Sequence, residues 1–333
     1  MIILAGDIGG THSRIAYFSL EKGQLEFLVE EIYPSADYTG LDEIVRKFVA
    51  SQRQTSSHAC FGVAGPIHDG RVRITNLPWI VDASRLKQGL ALETVTVIND
   101  LEAIAYSIDV LETKDFAILN EGDSKAVGNA AVIAAGTGLG EAGLYWDGIQ
   151  HFPFACEGGH SDFAPTDELQ DELLCHLRAQ FGHVSWERLV CGPGLLNIYN
   201  FLRDVRRVQE PNWLKLEMKQ GDPASHVSRH GVDGTSALCV EALELFVSLY
   251  GSEAGNLALK IMATGGIYLG GGIAPRIVDK LRSSSFLTAF STKGRMSDLL
   301  KAIPIRVILN DKAGLLGAAH CAALQGSDLR DAH

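Results

Sequence analysis

The sequence predicts an α/β protein whose helices pack on mixed β-sheets. The first third of the chain alternates apolar strands with amphipathic helices, in the order β-β-β-α-β-α-β-α, which is typical of a sheet covered by helices. The second half opens as the first does, on a strand, a glycine-rich turn with a threonine, and a second strand, which indicates a weak internal repeat. With 333 residues, the chain is long enough for two domains.

Hydrophobic periodicity locates the individual elements. In the first part of the chain, the predicted strands lie at 2–9, 13–20, 25–33, 59–65, 71–76 and 94–100, and the predicted helices at 41–53, 83–90 and 101–108. In the second part, the predicted strands lie at 130–135, 141–146, 266–270 and 303–310, and the predicted helices at 167–182, 194–207, 239–262 and 313–324. Segment 209–235 is polar and rich in glycine, proline and serine, so we expect a long loop or insertion there.

Composition and charge exclude several classes of function. The net charge of −11 argues against nucleic-acid binding, which depends on cationic contacts to phosphates. The six cysteines are scattered without paired spacing, which favours a reducing, cytoplasmic setting. The N-terminal apolar run stops at Asp7, too early for a signal peptide. No uninterrupted apolar stretch reaches the roughly 18–20 residues of a membrane span, so no membrane partner is expected.

The stretch "GTGLGEAG" at 136–143 matches the spacing G-x-G-x-x-G at Gly138, Gly140 and Gly143. A dinucleotide-binding loop requires a helix after the glycines. Here the glycines lead into "EAGLYW", which reads as a strand, so the motif is predicted to be a hairpin tip with Gly143 inside the strand. No P-loop sequence occurs in the chain.

A glycine hairpin can still hold a phosphate, because its backbone N–H groups can approach an anion closely. The first hairpin offers similar parts at Gly9, Gly10 and Thr11, with the carboxylate of Asp7 beside them as a candidate ligand for Mg²⁺, directly or through water. Two such hairpins, with Thr137 in the second, would clamp a polyphosphate. The alternative is two ordinary tight turns.

The motifs "GDIGGTHSR", "INDLEA", "AAGTGLGEA", "EGGHSDFAP", "ERLVCGPGLLNIY", "GGIYLGGGIAPR" and "DKAGLLGAA" occur in this order between about residues 4 and 320. Together they resemble the bacterial glucokinases of the hexokinase–actin–Hsp70 superfamily, of the type without a cysteine-rich zinc motif. One departure is His12, where the family usually has asparagine, and this bears on the contact beside the first phosphate loop.

The resemblance implies two ribonuclease H-like (actin-like ATPase) domains with a cleft between them. A small α/β domain would comprise 1–110 plus 312–333, and a large one with helical insertions 111–311. It also implies that ATP, with Mg²⁺, phosphorylates the 6-hydroxyl of glucose, and that the enzyme is a cytoplasmic homodimer.

The residues give partial support for each site, and the resemblance assigns the roles. Asp100 ends the strand "VIND", where a carboxylate faces the ligand crevice of an α/β sheet; the resemblance makes it the general base and gives Asn99 the neighbouring sugar hydroxyls. The alternative for Asp100 is a helix N-cap. Glycines at 158 and 159 bring Glu157 and His160 near one point, a mixture that suits a polyol.

The resemblance adds Glu187 and Gly138 to the sugar site. For Glu187 the alternative is an acid in a first helical turn, with Ser185 as N-cap; for His160 it is a buried core histidine, or a weak zinc site with Cys156, Cys175 and His176. The residues assigned to ATP are Gly6, Asp7, Ile8, Gly9, Gly10, Thr11, Thr137, Gly271 and Gly272, with Thr137 and Gly138 facing the phosphates. Gly270–Gly272 would form the adenosine pocket, or else a tightly packed helix entry.

Two other functions stay open at this stage. One is a non-enzymatic sugar sensor or regulator on the same fold, against which the early first strand leaves no room for a DNA-binding helix pair. The other is an actin- or chaperone-like ATPase without a sugar site, which would not need the group Glu157, His160 and Glu187.

Overall fold

The computed structural model describes residues 1–74 and 77–326. Its strands are β1 (Ile2–Ile8), β2 (His12–Glu21), β3 (Gln24–Pro34), β4 (His58–Val63), β5 (Ile67–His68), β6 (Arg71–Arg73), β7 (Ile80–Asp82), β8 (Thr94–Asn99), β9 (Phe116–Asn120), β10 (Ala130–Ala135), β11 (Leu139–Trp146), β12 (His151–Cys156), β13 (Gly266–Gly270) and β14 (Ile305–Ile308). Two parts of our predictions lie outside the described residues: the end of strand 71–76, at Thr75 and Asn76, and residues 327–333 of the first domain.

The helices alternate with these strands along the chain. They are α1 (Leu41–Ser51), α2 (Ala83–Leu90), α3 (Asp100–Ser107), α4 (Glu168–Phe181), α5 (Gly192–Asp204), α6 (Asn212–Glu217), α7 (Pro223–Val232), α8 (Ala237–Ile261), α9 (Val278–Leu281), α10 (Ser284–Ser291), α11 (Ser297–Lys301) and α12 (Ala313–Gly326). Within the described part of the chain, no helix is long and apolar enough to cross a membrane.

Within the described residues, the first compact unit comprises Met1–Thr113, His151–Ala155 and the chain from Asn310 to the end of α12. Its main sheet has the strand order β3-β2-β1-β4-β8, and a small sheet has the order β5-β6-β7. Strands β1, β2 and β3 pair antiparallel, whereas β1, β4 and β8 run parallel. The carboxyl ends of the three parallel strands therefore meet at one edge of the sheet.

Apolar layers cover both faces of this sheet. On one face, Leu4 and Phe61 pack in a core that includes Phe48 of α1. On the other face, Ile3 packs in a second core with residues of α12. Helix α12 approaches α3 so closely that a Cβ at Gly317 would lie 1.6 Å from the carbonyl oxygen of Ala103, which explains why the final helix is rich in small residues.

The second compact unit comprises Lys114–Gln150 and Cys156–Leu309. Five strands of this unit follow one another in its sheet in the order β11-β10-β13-β14-β9. Strand β10 is antiparallel to β11 and parallel to β13, and β13 is parallel to β14. Helix α8 is buried along most of its length in the core of this unit. The hydroxyl of Tyr250 on α8 donates a hydrogen bond to the carbonyl of Ile133 on β10, at 3.0 Å, which ties the helix to the sheet.

The two sheets share one arrangement of strands. In the first, an antiparallel hairpin (β1 and β2) is followed by the parallel neighbours β4 and β8; in the second, the hairpin β10 and β11 is followed by β13 and β14. This agrees with the weak internal repeat read from the sequence. Gly143 pairs with Ala131 inside β11, as expected of a strand glycine.

Of the long loop or insertion predicted at 209–235, the loop is wrong, because two helices, α6 and α7, form there. Asp222 caps α7 by accepting the backbone N–H of Ala224, and Pro223 occupies the first helical turn, where no hydrogen-bond donor is required. Most of the polar residues are exposed or half-buried, while Leu214 and Val227 are buried in the unit's core and His230 is buried on α7. The amphipathic pattern was too short to stand out against the glycine, proline and serine of the segment.

Candidate functional site

Asp7 and Asp100 lie at the carboxyl edge of the first unit's parallel strands. Asp7 is the second-last residue of β1, and Asp100 is the first residue of α3, directly after β8. The strand between them, β4, places Gly62 opposite Asp7. A Cβ at Gly62 would lie 2.8 Å from that of Ala103, so α3 lies close against this strand. The parallel register thus brings the two carboxylates to one edge.

The two carboxylates influence each other electrostatically. Burial and the negative charge of Asp100 raise the pKa of Asp7 to about 6, against a weaker opposing effect of Arg14. The α-carbon of Gly314, near the start of α12, lies close by, since a Cβ built there would stand 3.3 Å from Cγ of Asp7. Asp7 is therefore a partly enclosed carboxylate whose charge is costly without a cation beside it.

The loop between β1 and β2 contains the other candidates of this unit. Gly6 and Ile8 flank Asp7 in β1, and Gly9, Gly10 and Thr11 form the turn. Two hydrogen bonds stabilise the turn. The backbone N–H of Gly9 donates to the carbonyl of His12 at 3.0 Å, and the hydroxyl of the buried Ser35 donates to the carbonyl of Gly9 at 2.8 Å. Thr11 and His12 are exposed.

Asn99, not Asp100, is the N-cap of α3. Its Oδ1 accepts the backbone N–H of Leu101 at 2.9 Å, and Glu102 completes a capping box. Its Nδ2 donates to the carbonyl of Gly65 at 3.3 Å, which ties the chain after β4 to the end of β8. The N-cap alternative for Asp100 is therefore wrong, although its own Oδ1 accepts the same N–H at 3.0 Å.

In the second unit, Glu157, His160 and Glu187 converge on one point; we call them the acid–histidine cluster. His160 presents Nε2 to Oε2 of Glu157 and Nδ1 to Oε1 of Glu187, both at 3.9 Å. Glu157 and His160 are exposed, and Glu187 is half-buried. His160 is thus not a buried core histidine. The cluster offers four carboxylate oxygens and an imidazole to a solute, which are groups that bind several hydroxyls.

Glu187 is held in place by the second glycine hairpin. Its Oε2 accepts the backbone N–H of Leu139 at 3.0 Å, and a Cβ at Gly138 would lie 2.4 Å from the same oxygen. Glu187 lies in a short 3₁₀ helix, Trp186–Arg188, whose first turn Ser185 precedes without a side-chain capping bond. The acid therefore bonds a neighbouring loop, and the interpretation as an ordinary first-turn acid does not account for this contact.

A cavity of about 1200 Å³ adjoins the same hairpin, entirely within the second unit. Its lining includes Thr137 of the hairpin and Gly272 after β13. The two loops are joined, because the N–H of Ile273 donates to the carbonyl of Ala135 at 3.2 Å. Gly271 has a φ of +79°, and a Cβ there would lie 2.4 Å from the carbonyl oxygen of Ala135, so only glycine fits this approach.

Residues that sequence reasoning missed complete this cavity. Helix α5 contributes Gly192 and Pro193 at its first turn, α7 contributes Ser228 and Arg229, and Arg276 follows the glycine turn. Arg276 is exposed and makes no ion pair with any other residue that the structure describes. Helix α7 lies inside the polar segment 209–235, whose composition favours a loop or insertion.

The zinc alternative for His160 is wrong. Among the described residues, no three histidine, cysteine, aspartate or glutamate side chains form a group that could hold a metal ion. His176, which the alternative included, contacts Gln180 at 2.6 Å and packs near the ring of Phe201. Its helix, α4, packs on the core of the unit through Leu173 and Leu177.

Comparison with known proteins identifies relatives over nearly the whole chain. The sequence model of the family "Glucokinase" matches residues 4–325. A curated glucokinase of Nostoc sp. is 40% identical over 338 residues, which covers 97% of this chain and 99% of the relative. A curated glucokinase of Synechocystis sp. is 40% identical and covers 96% of this chain and 97% of the relative.

Solved structures are similar over the same length. The crystal structure of a glucokinase from an Antarctic psychrotroph has a TM-score of 0.86 at 33% identity, and the match covers 97% of this chain and 99% of that one. A glucokinase of the ROK family from Streptomyces griseus, solved with glucose and AMPPNP, has a TM-score of 0.65 at 20% identity, which is evidence of the fold alone. The predicted α/β class with the actin-like ATPase fold is confirmed.

Proposed function

The chain belongs to the glucokinase family, and we propose that it transfers the γ-phosphoryl group of ATP to the 6-hydroxyl of glucose. The products are glucose 6-phosphate and ADP. The observation that carries the proposal is the convergence of Glu157, His160 and Glu187 beside the glycine hairpin, next to a cavity large enough for a nucleotide. Carboxylates and an imidazole are suited to binding sugar hydroxyls.

Each residue of the proposed sugar site has a distinct task. Asp100 is the general base that accepts the proton of the attacking hydroxyl, and Asn99 binds a neighbouring hydroxyl. The acid–histidine cluster binds the remaining hydroxyls, and Gly138 leaves room for Glu187. Hydrogen bonds to charged groups contribute about 1.5–3 kcal/mol each, so two or three of them select a hexose.

ATP is proposed to bind the two glycine hairpins and the cavity of the second unit. The first hairpin contributes Gly6, Ile8, Gly9, Gly10 and Thr11 to this site. The second unit contributes Thr137, Gly138, Gly271 and Gly272. Arg276, which lines the cavity without an ionic partner in the described chain, supplies a cation for a phosphate.

Asp7 fits a magnesium ion. Oxygen ligands suit Mg²⁺, and the raised pKa of Asp7, caused by burial and by Asp100, reflects a carboxylate that a cation would stabilise. When bound, Mg²⁺ neutralises negative charge on the phosphates during transfer. Asp7 would hold the ion directly or through water, and Asp100 stays beside it to take the hydroxyl proton.

Further features of the proposal concern the whole enzyme. We take the two compact units as the two domains that the resemblance implies, 1–110 plus 312–333 and 111–311. We also propose that the enzyme acts in glycolysis in the cytoplasm and that it is a homodimer. Sedimentation of the purified protein tests the dimer.

The test is a coupled assay of the purified protein with ATP, Mg²⁺ and a panel of hexoses. We expect glucose-dependent formation of ADP, and a preference for glucose over mannose and glucosamine. Formation of ADP without any dependence on a hexose would favour an ATPase without a sugar site. Glucose binding by calorimetry without ADP formation would favour the sugar-sensor alternative, which the comparisons do not favour.

A further inference from the structure

Glu141 is a buried acid inside the second glycine motif that the proposed reaction does not use. It lies on β11, two residues after Leu139, and its side chain is almost completely buried at 1% exposure. Neither carboxylate oxygen receives a hydrogen bond from any group in the described part of the chain. A buried, unsatisfied acid is costly, so its retention calls for a physical explanation.

The explanation lies on α8, where a second acid, Glu253, lies within hydrogen-bonding reach of the Glu141 side chain and interacts with its charge. Glu253 is completely buried; Nδ2 of Asn256 donates to its Oε2 at 2.8 Å, and Nζ of Lys260 lies 3.2 Å from its Oε1. Lys293 approaches the same group from the end of α10, but its Nζ donates to Asn256 and Ser252 rather than to an acid. The donors thus serve Glu253 and leave Glu141 without one.

A shared proton resolves the conflict between the two acids. Burial and the charge of Glu253 raise the pKa of Glu141 to about 8, with Lys260 opposing more weakly. Burial also raises the pKa of Glu253, against the lowering effects of Asn256 and Lys260. A carboxylic acid on Glu141 can donate to the carboxylate of Glu253, whereas two carboxylates cannot bond each other.

The carboxyl of Glu141 lies directly against the loop that contains the sugar ligands. A Cβ at Gly158 would stand only 1.8 Å from Oε2 of Glu141, so this oxygen packs on the backbone of Gly158. Gly158 lies between Glu157 and His160, and its carbonyl accepts the backbone N–H of Ser161 at 2.9 Å. Other titratable groups near the pair are Cys156 and Glu157, both at this loop.

We propose that the hydrogen-bonded, singly protonated Glu141–Glu253 pair is a positioning element that holds the Glu157–His160 loop in its sugar-binding conformation. The proposal rests on the proposed function, because it assigns the loop to glucose. When the pair loses its proton, two buried carboxylates repel each other beneath Gly158. The loop is then displaced, and glucose affinity falls while the phosphoryl-transfer step is changed less.

The experiment measures the KM for glucose and kcat of the full-length protein between about pH 6.5 and about pH 9. If only the protonated pair supports binding, the wild-type KM is about tenfold higher at the upper limit than at the lower limit. Glu141→Gln keeps a neutral side chain of the same shape, so its KM stays low across the range. Glu141→Ala raises KM at every pH and lowers kcat less. Glu244→Gln, at an exposed position of α8, is the matched control and follows the wild type.

Two outcomes overturn the positioning role. One is a glucose KM profile of Glu141→Gln that coincides with that of the wild type; the other is a wild-type KM for Glu141→Ala. If the wild-type protein shows no hexose-dependent activity, the proposed function is contradicted instead. Glucose affinity measured by calorimetry then tests the positioning role: an affinity that falls as the pair loses its proton supports it, and an affinity that is constant with pH refutes it.

Hydrogen exchange provides a readout that does not depend on a substituted protein folding. In the wild-type protein, the protection factor of the Ser161 amide falls above about pH 8 if the pair holds the loop. A protection factor that is constant across this range, after correction for intrinsic exchange, refutes the proposal. Glu253→Gln gives a second variant, and it should flatten the pH profile of KM as Glu141→Gln does.

Discussion

Alanine at position 138 should weaken glucose binding by displacing Glu187. The added methyl would lie 2.4 Å from Oε2 and 3.4 Å from Cδ of Glu187, so the side chain must leave the position where it accepts the N–H of Leu139. The displaced Glu187 can no longer accept its proposed hydrogen bond from a glucose hydroxyl. A hydrogen bond to a charged group contributes about 1.5–3 kcal/mol, and about 1.4 kcal/mol is a factor of ten in affinity. The glucose KM should therefore rise between about tenfold and about 150-fold.

A steady-state assay at saturating ATP measures this effect, and calorimetry measures glucose affinity separately. Gly40→Ala is the control for a glycine-to-alanine change, because a methyl there meets no atom within 4 Å. The double variant Gly138→Ala, Glu187→Ala tests the mechanism: once Glu187 is removed, the added methyl has nothing to displace. An effect of Gly138→Ala that is as large in the Glu187→Ala background as in the wild type would refute this reasoning.

Three further predictions concern Asp100, Glu141 and Gly271. Asp100→Asn should lower kcat by about 10²–10⁴-fold with little change in glucose affinity, because it removes the base but not the hydroxyl contacts; near-normal kcat excludes that role. The pKa of Glu141 is raised from 4.5 to about 8, so its protonation stabilises the fold below about pH 4.5, and this contribution is lost as pH rises to about 8. In denaturant unfolding, the free energy of unfolding of the wild type should fall by up to about 1.4 kcal/mol per pH unit in this window, and that of Glu141→Gln should not. Gly271→Ala should lower Tm, because its φ is +79° and its Cβ would contact Ala135, whereas Gly272→Ala, with open space around it, should not.

Features that depend on neighbouring residues in the chain were predictable from the sequence. The strand–turn–strand pattern around "GTGLGEAG" excluded a dinucleotide-binding helix, and β10 and β11 form as expected. The position of Asp100 after an apolar strand located it at a carboxyl edge. The pair of glycines after Glu157 indicated a loop that brings Glu157 and His160 together, and the structure has this loop.

Contacts between distant segments were not predictable in the same way. Glu187 was assigned to the sugar site by resemblance, but its bond to Leu139 depends on how β11 meets the short helix at Trp186–Arg188. Local propensity in 209–235 does not indicate helices α6 and α7, which form because burial of a few side chains in a tertiary core outweighs that weak propensity. The cavity that α7 lines was therefore missed as well.

The sequence by itself determined the α/β class, the two glycine hairpins and the family, since periodicity and motif order are properties of neighbouring residues. Only the tertiary structure decided which acids act alone and which act together. Asp7 lies near Asp100, and Glu141 lies opposite Glu253, because strands and helices remote in sequence pack side by side. The charge of an acid depends on burial and on its neighbours in space, and neither can be read from the order of residues.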